Sequence, residues 1–184
     1  TNDLSHRQSY LNIRNTLLAL LDIGVVPIIN ENDVVAVDEI GEVYGDNDRL
    51  SALVSNLVDA DLLLILTDTD GLYTADPRTN PNANLISDVK TFDDSILSAA
   101  GEHTNPWARG GMPTKIEAAQ LVTTSGIPMI RCHGHQDDAI LKALNNENIG
   151  TKFHPATEKL EARKRWLLSM LGDTDSGAIT IENG

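Results

Sequence analysis

The stretch Leu62-Leu63-Leu64-Ile65-Leu66-Thr67-Asp68-Thr69-Asp70-Gly71-Leu72-Tyr73 sets five uninterrupted aliphatic residues directly before a run of turn-forming polar ones. A short apolar run without charge, bounded by turn residues, reads as a strand buried on both faces. The segment from Thr67 to Asn84 is rich in Asp, Thr, Asn and Pro and reads as loop. A buried strand that opens into a polar loop at its C-terminal end marks the place where an open α/β sheet gathers ligand groups.

Working upstream, Leu50, Leu53, Val54, Leu57 and Val58 form the apolar stripe of a helix that Asp46 or Asn47 can cap. Val34 to Tyr44 is β-rich around Gly41 and reads as a hairpin or flap. Val25 to Ile29 reads as a short buried strand, with Pro27 marking an irregular edge or a strand start. A helix from about Ser9 to Asp22 precedes it and stops at Gly24. Downstream, the pattern predicts a strand over 85–90, a short helix over 93–100 and a helix over 114–125 that Gly126 ends. A third buried strand over 127–130, a helix over 137–146 and a short edge strand over 151–153 follow. This alternation predicts an α/β fold with a mostly parallel sheet and helices on both faces.

The character changes from Pro155. Glu158 to Arg165 is highly charged, Trp166 to Leu171 is apolar, and Gly172 to Gly177 reads as a linker or turn. Ala178-Ile179-Thr180-Ile181 then alternates like the first strand of something new. The expected organisation is a main domain over 1–154, a linker over 155–177 and the start of another domain over 178–184.

The 184 residues suffice for one ordinary domain, and hydrophobic residues at 41% with aromatics at 4% give it an aliphatic core. A formal net charge of −13 disfavours a nucleic-acid binder, which would need a basic face, but leaves room for a locally positive anion pocket. Cys132 is the single cysteine, so no internal disulfide is available, and its apolar setting makes it a core residue rather than a nucleophile. No apolar stretch approaches the roughly 20 residues that span a bilayer, and residues 1–7 lack a signal-peptide core. A soluble, cytoplasmic protein is expected.

Four polar strings then demand weighing. Asn30-Glu31-Asn32-Asp33 reads either as an Asx-rich turn or as a set of groups for a substrate ammonium and carboxylates. Gly45-Asp46-Asn47-Asp48 holds more acid than one helix cap requires, which favours a functional role. Thr67 to Pro77 fails the EF-hand template, since Tyr73 occupies the glycine position of that loop, and suits the lining of a nucleotide pocket better. Gly110-Gly111-Met112-Pro113-Thr114-Lys115 lacks the Gly-Lys-Ser/Thr order of a Walker A loop. What remains is a double glycine leading into a helix with a lysine in its first turn. A cation there opposes the helix dipole and is best explained by an anion bound by both. His133 and His135 have no third ligand at a sensible spacing and read as a surface turn, so no metal ligand set is assigned. Arg163-Lys164-Arg165 reads as a solvated helix face or docking seam.

Taken together these strings resemble the glutamate-kinase branch of the amino acid kinase family. The similarity is carried by Val26 to Asp33, Gly45 to Ala52, Leu66 to Arg78, Gly110 to Met112, Thr114-Lys115 and Arg163 to Trp166, and it covers nearly the whole chain. It implies a three-layer sandwich that lacks its first strands here, and it implies ATP-dependent phosphorylation of the side-chain carboxylate of L-glutamate, the first step toward proline. Kinases of the same fold for acetylglutamate, aspartate or carbamate, and a non-catalytic sensor, are the alternatives.

By the same resemblance, Asp33 and Asn47 would bind glutamate with Asn30 in support, and Asp48 would organise the catalytic lysines. Thr67 and Asp68 would contact ATP, as would Arg109, Gly110, Gly111, Met112, Pro113, Thr114 and Lys115. Lys115 would neutralise the phosphoryl group in flight, and Mg2+ would bridge the ATP phosphates. The family is often oligomeric and inhibited by proline. Two features depart from its pattern: Ala108-Arg109 stands where Gly-Thr is common, and no strand with a second catalytic lysine precedes Thr1. The expectation is therefore that this chain is the later part of a kinase domain, followed by the start of a PUA-type domain, and is inactive alone.

Overall fold

The structure, a computed structural model, describes residues 6–30, 47–99, 112–156 and 164. In chain order its elements are α1 (Arg7–Asp22), α2 (Asp48–Val58), β1 (Leu63–Thr67), β2 (Leu72–Tyr73), β3 (Leu85–Ile86) and β4 (Asp88–Val89). They continue with α3 (Asp94–Ala99), α4 (Met112–Thr124), β5 (Met129–His133), α5 (Ala139–Leu144) and β6 (Thr151–Phe153). The main sheet has the order β1-β5-β6-β4, and β2 pairs with β3 in a separate antiparallel ribbon. β1 runs parallel to β5 and β4 parallel to β6, while β5 and β6 are antiparallel.

Strand alternation divides the core into two layers. Leu63, Ile65, Met129 and Phe153 cluster with Ala52 of α2, Ile96 of α3 and Ile116, Ala119 and Val122 of α4. Ile130 and Cys132, with Leu62 and Leu64, pack against Ala139 and Ala143 of α5 and against Ile149. Helices thus cover both faces, as the apolar runs require. Each fully buried Leu, Ile, Met or Phe in these layers contributes roughly 1.5–3 kcal/mol. Helix α1 packs on the outside of α2 through Tyr10, Leu17 and Leu57.

The short links set the directions. Only residues 59–62 join α2 to β1, and residues 125–128 join α4 to β5. Each helix therefore returns antiparallel to the strand it feeds, and its N-terminus lies at the end of the sheet where β1 and β5 finish. Gly24 (φ 76°) and Gly126 (φ 88°) stop α1 and α4 in the left-handed conformation that glycine adopts without strain.

The structure corrects three expectations. Residues 25–30 form no strand, and Val26 and Ile28 are 82% and 97% exposed. No described strand pairs with this segment, and an isolated extended chain has no ladder to hold it. β6 is not an edge strand, because β4 pairs along its far side. The strand expected over 85–90 is two pieces, β3 and β4, which belong to different sheets. The hairpin or flap over 34–44 and nearly all of the charged and linker segments from residue 157 onward lie outside the described residues, so the domain boundaries there stay expectations.

Candidate active site

Asp48 opens α2 and Lys115 lies in the first turn of α4. Their side chains meet across the two helix starts, Lys115 Nζ donating to Asp48 Oδ2 at 2.8 Å. The pair is largely withdrawn from water, with side-chain exposures of 15% for the lysine and 7% for the aspartate. Asp48 suits the positive end of its own helix, and its carboxylate offsets the unfavourable position of Lys115 at the start of the other. Part of the reason for a lysine at this point is therefore already present within the protein.

Asn47, next to Asp48, was expected to be available as a cap. It makes no side-chain cap bond; its Nδ2 instead donates to Asn30 Oδ1 at 3.1 Å. The amide is spent on tethering the exposed residue 30 to the start of α2. Asn30–Asn47 and Asp48–Lys115 are thus two polar side-chain pairs that meet at adjacent residues of the start of α2. Asp33, Arg109, Gly110 and Gly111 lie outside the described residues. Met112 and Pro113 are placed as the first residues of α4, and Thr114 precedes Lys115 there.

Thr67 ends β1 in register with His133, the last residue of β5. Its hydroxyl donates to Thr69 O at 2.9 Å and accepts from Thr69 N at 3.2 Å, closing a tight turn. Its carbonyl accepts from Gly134 N at 2.8 Å, which leaves the exposed Asp68 standing on a braced backbone. Further along the loop, Tyr73 donates to Asp70 Oδ2 at 3.0 Å, and that acceptor raises the tyrosine's pKa. Arg78 grips Asp76 through Nη2 at 2.9 Å and Nε at 3.1 Å, holding the carboxyl below its ordinary range.

Two buried polar residues beneath this loop escaped the sequence reading. Arg131, in the middle of β5, donates from Nη1 to Gly71 O and from Nη2 to Thr69 Oγ1, each at 2.6 Å. Thr151, its partner across β6, accepts from Leu72 N at 2.8 Å and donates to Ile86 O at 2.6 Å. The signal for Arg131 was present: an arginine inside an apolar run seldom sits there without a fixed set of acceptors.

The histidines form a turn, His135 N donating to His133 Nδ1 at 3.1 Å. With Asp70 and Gly150 they border a cavity of about 540 Å3 beside the loop. Among the described residues no group of three or more His, Cys, Asp or Glu is placed to hold a metal. Nor is any described helix long and apolar enough to cross a membrane. Cys132 is fully buried, and burial pushes its thiol pKa up, as befits a core residue.

A model of the amino acid kinase family matches residues 1–130. The chain is 51% identical over 183 residues to a glutamate 5-kinase of Dehalococcoides mccartyi, covering 99% of this chain and 48% of that one. A glutamate 5-kinase of Herpetosiphon aurantiacus is 52% identical over 167 residues, covering 91% and 45%. The chain therefore spans about half the length of the curated relatives it matches. Among solved structures, a UMP kinase from Bacillus anthracis superposes with a TM-score of 0.53 at 14% identity, over 78% of this chain and 52% of that one, a likeness of fold alone. With strand ends and helix starts gathered as described, and with a family model matched over most of its length, the chain belongs to the amino acid kinase family.

Proposed function

We propose that the complete protein carrying this chain transfers the terminal phosphoryl group of ATP to the side-chain carboxylate of L-glutamate, giving glutamyl 5-phosphate for proline synthesis. The observation that carries this reading is the Asp48–Lys115 pair, which joins two helix starts at the end of the sheet where β1 and β5 finish. The glutamate 5-kinase relatives at about half identity support the choice of substrate.

In this reading a carboxylate oxygen of glutamate attacks the terminal phosphorus while the bond to the bridging oxygen breaks, and ADP leaves. Lys115 offsets charge on the transferred group, and Asp48 holds its ammonium in place. Asn47, steadied by Asn30, and Asp33 bind the amino acid. Thr67 and Asp68 contact ATP, as do Arg109 to Lys115. A helix start bearing a lysine fits a polyphosphate. Mg2+, when bound with ATP, supplies charge neutralisation at the phosphates. Proline as a feedback inhibitor, a homo-oligomer and a cytoplasmic location belong to the same proposal.

The test is a substrate panel on the complete protein with ATP and Mg2+. Turnover with glutamate, well above that with acetylglutamate, aspartate or carbamate, is the expected result. Asp33→Ala should raise KM for glutamate and leave that for ATP unchanged. Preference for another acid, or binding of both ligands without phosphoryl transfer, overturns the assignment. This chain by itself is expected to be inactive in the same assay.

A further inference from the structure

We infer that Arg131 is a positioning residue for the nucleotide loop: its buried guanidinium holds Thr69 and Gly71 from below and so fixes Thr67 and Asp68 above the sheet. The inference rests on the reading of that loop as an ATP contact.

Arg131 is 2% exposed in the middle of β5, between β1, where it pairs with Ile65, and β6, where it pairs with Thr151. Placing a permanent cation in a sheet interior is costly unless its donors are met. Two of them end on one short segment, at Thr69 Oγ1 and Gly71 O. Thr69 in turn both donates to and accepts from the Thr67 hydroxyl through its backbone. The chain of contact therefore runs from the sheet interior to the strand tip. An arginine fork can hold two acceptors in one plane; a lysine cannot.

The fit around the loop is close. A Cβ on Gly71 would lie 2.5 Å from Thr151 Oγ1 and 2.8 Å from Leu85 Cδ1, so the backbone here rests directly on β6 and β3. On Gly150, whose φ is +59°, a Cβ would collide with the Arg131 carbonyl oxygen. Arg131 and Thr151 thus fasten residues 69 to 72 from adjacent strands. Arg131 also sets a positive charge under a segment that otherwise carries Asp68 and Asp70.

The experiment uses the complete protein with Arg131→Lys, which keeps the charge and loses the fork, and Thr69→Val, which removes one acceptor from the loop side and leaves the core arginine in place. Each variant is expected to raise KM for ATP about tenfold, with KM for glutamate changed less than about twofold, and the double variant should be little worse than either alone. Hydrogen exchange of amides 69–72 should quicken in Arg131→Lys. Asp68→Ala is the control for the loop reading itself. If it leaves KM for ATP unaltered, that reading fails and the inference falls with it. If Asp68→Ala weakens ATP while both other variants leave its KM and the exchange of 69–72 untouched, the loop reading stands and the role of Arg131 is overturned. A loss of melting temperature with equal changes in both KM values also overturns it, since that is a purely structural effect.

Discussion

Lys115 carries its charge at a helix start, where the dipole opposes it, and Asp48 supplies the compensation. Removing one member of a pair this withdrawn from solvent leaves the other in a setting built for a counter-charge. Lys115→Met is expected to destabilise the fold by roughly 3 kcal/mol, read by urea denaturation of this chain. In the complete protein, loss of that charge should lower kcat by about 10²–10³-fold. Gly71 gives a second expectation at this scale, since its surroundings have no room for a methyl group. Gly71→Ala should cost about 1–3 kcal/mol by overpacking, and a melting curve indistinguishable from that of the parent would refute the contact with Thr151.

At the scale of elements, β4 and β6 are joined beyond their backbone ladder by His154 Nε2 and Asp88 Oδ1, 2.7 Å apart. The histidine partner is the chief cause of a lowered Asp88 pKa. A carboxyl whose pKa is lower folded than unfolded adds stability above its unfolded value, and that contribution disappears as pH falls through the folded one. Both side chains are partly open to water, so the gain is below about 1 kcal/mol. Unfolding of the parent chain and Asp88→Asn should therefore differ slightly at neutral pH and converge under acid conditions; a gap that persists at low pH would exclude the pair as its cause. Much at this scale was legible beforehand. The stripe of Leu50, Leu53, Val54 and Leu57 announced α2, the run Leu62 to Leu66 announced β1, and Gly24 and Gly126 announced helix stops. β2 was not legible, because two residues show no period, and neither was the division of the strand expected over 85–90 into β3 and β4. The direction of β6 is a property of pairing, which three residues do not encode. Of the candidate site, Asp48 and Lys115 stood out by their poor fit to capping and dipole rules. Arg131 was hidden by neighbours that made its segment read as plain core.

For the molecule as a whole, the apolar side chains between Leu21 and Ile29 are the feature that a packed domain least explains. Ile23, Val26 and Ile28 are each more than two thirds exposed, and they neighbour one another in sequence. Large apolar side chains this exposed promote association in water. Val26→Ser with Ile28→Ser should change the unfolding free energy of this chain by less than about 1 kcal/mol and reduce its self-association in sedimentation velocity. A large loss of stability would show that these side chains are packed after all.

The opposed directions within the sheet have a practical outcome. β1 and β5 climb toward Asp48 and Lys115, whereas β6 descends, and Ala156 N donates to Thr123 O at 3.0 Å, in the last turn of α4. Ala156 thus lies at the end of the sheet opposite Asp48 and Lys115. In the proposed reading, residues 154–156 therefore lie at the end of the sheet away from the groups that handle the phosphoryl transfer.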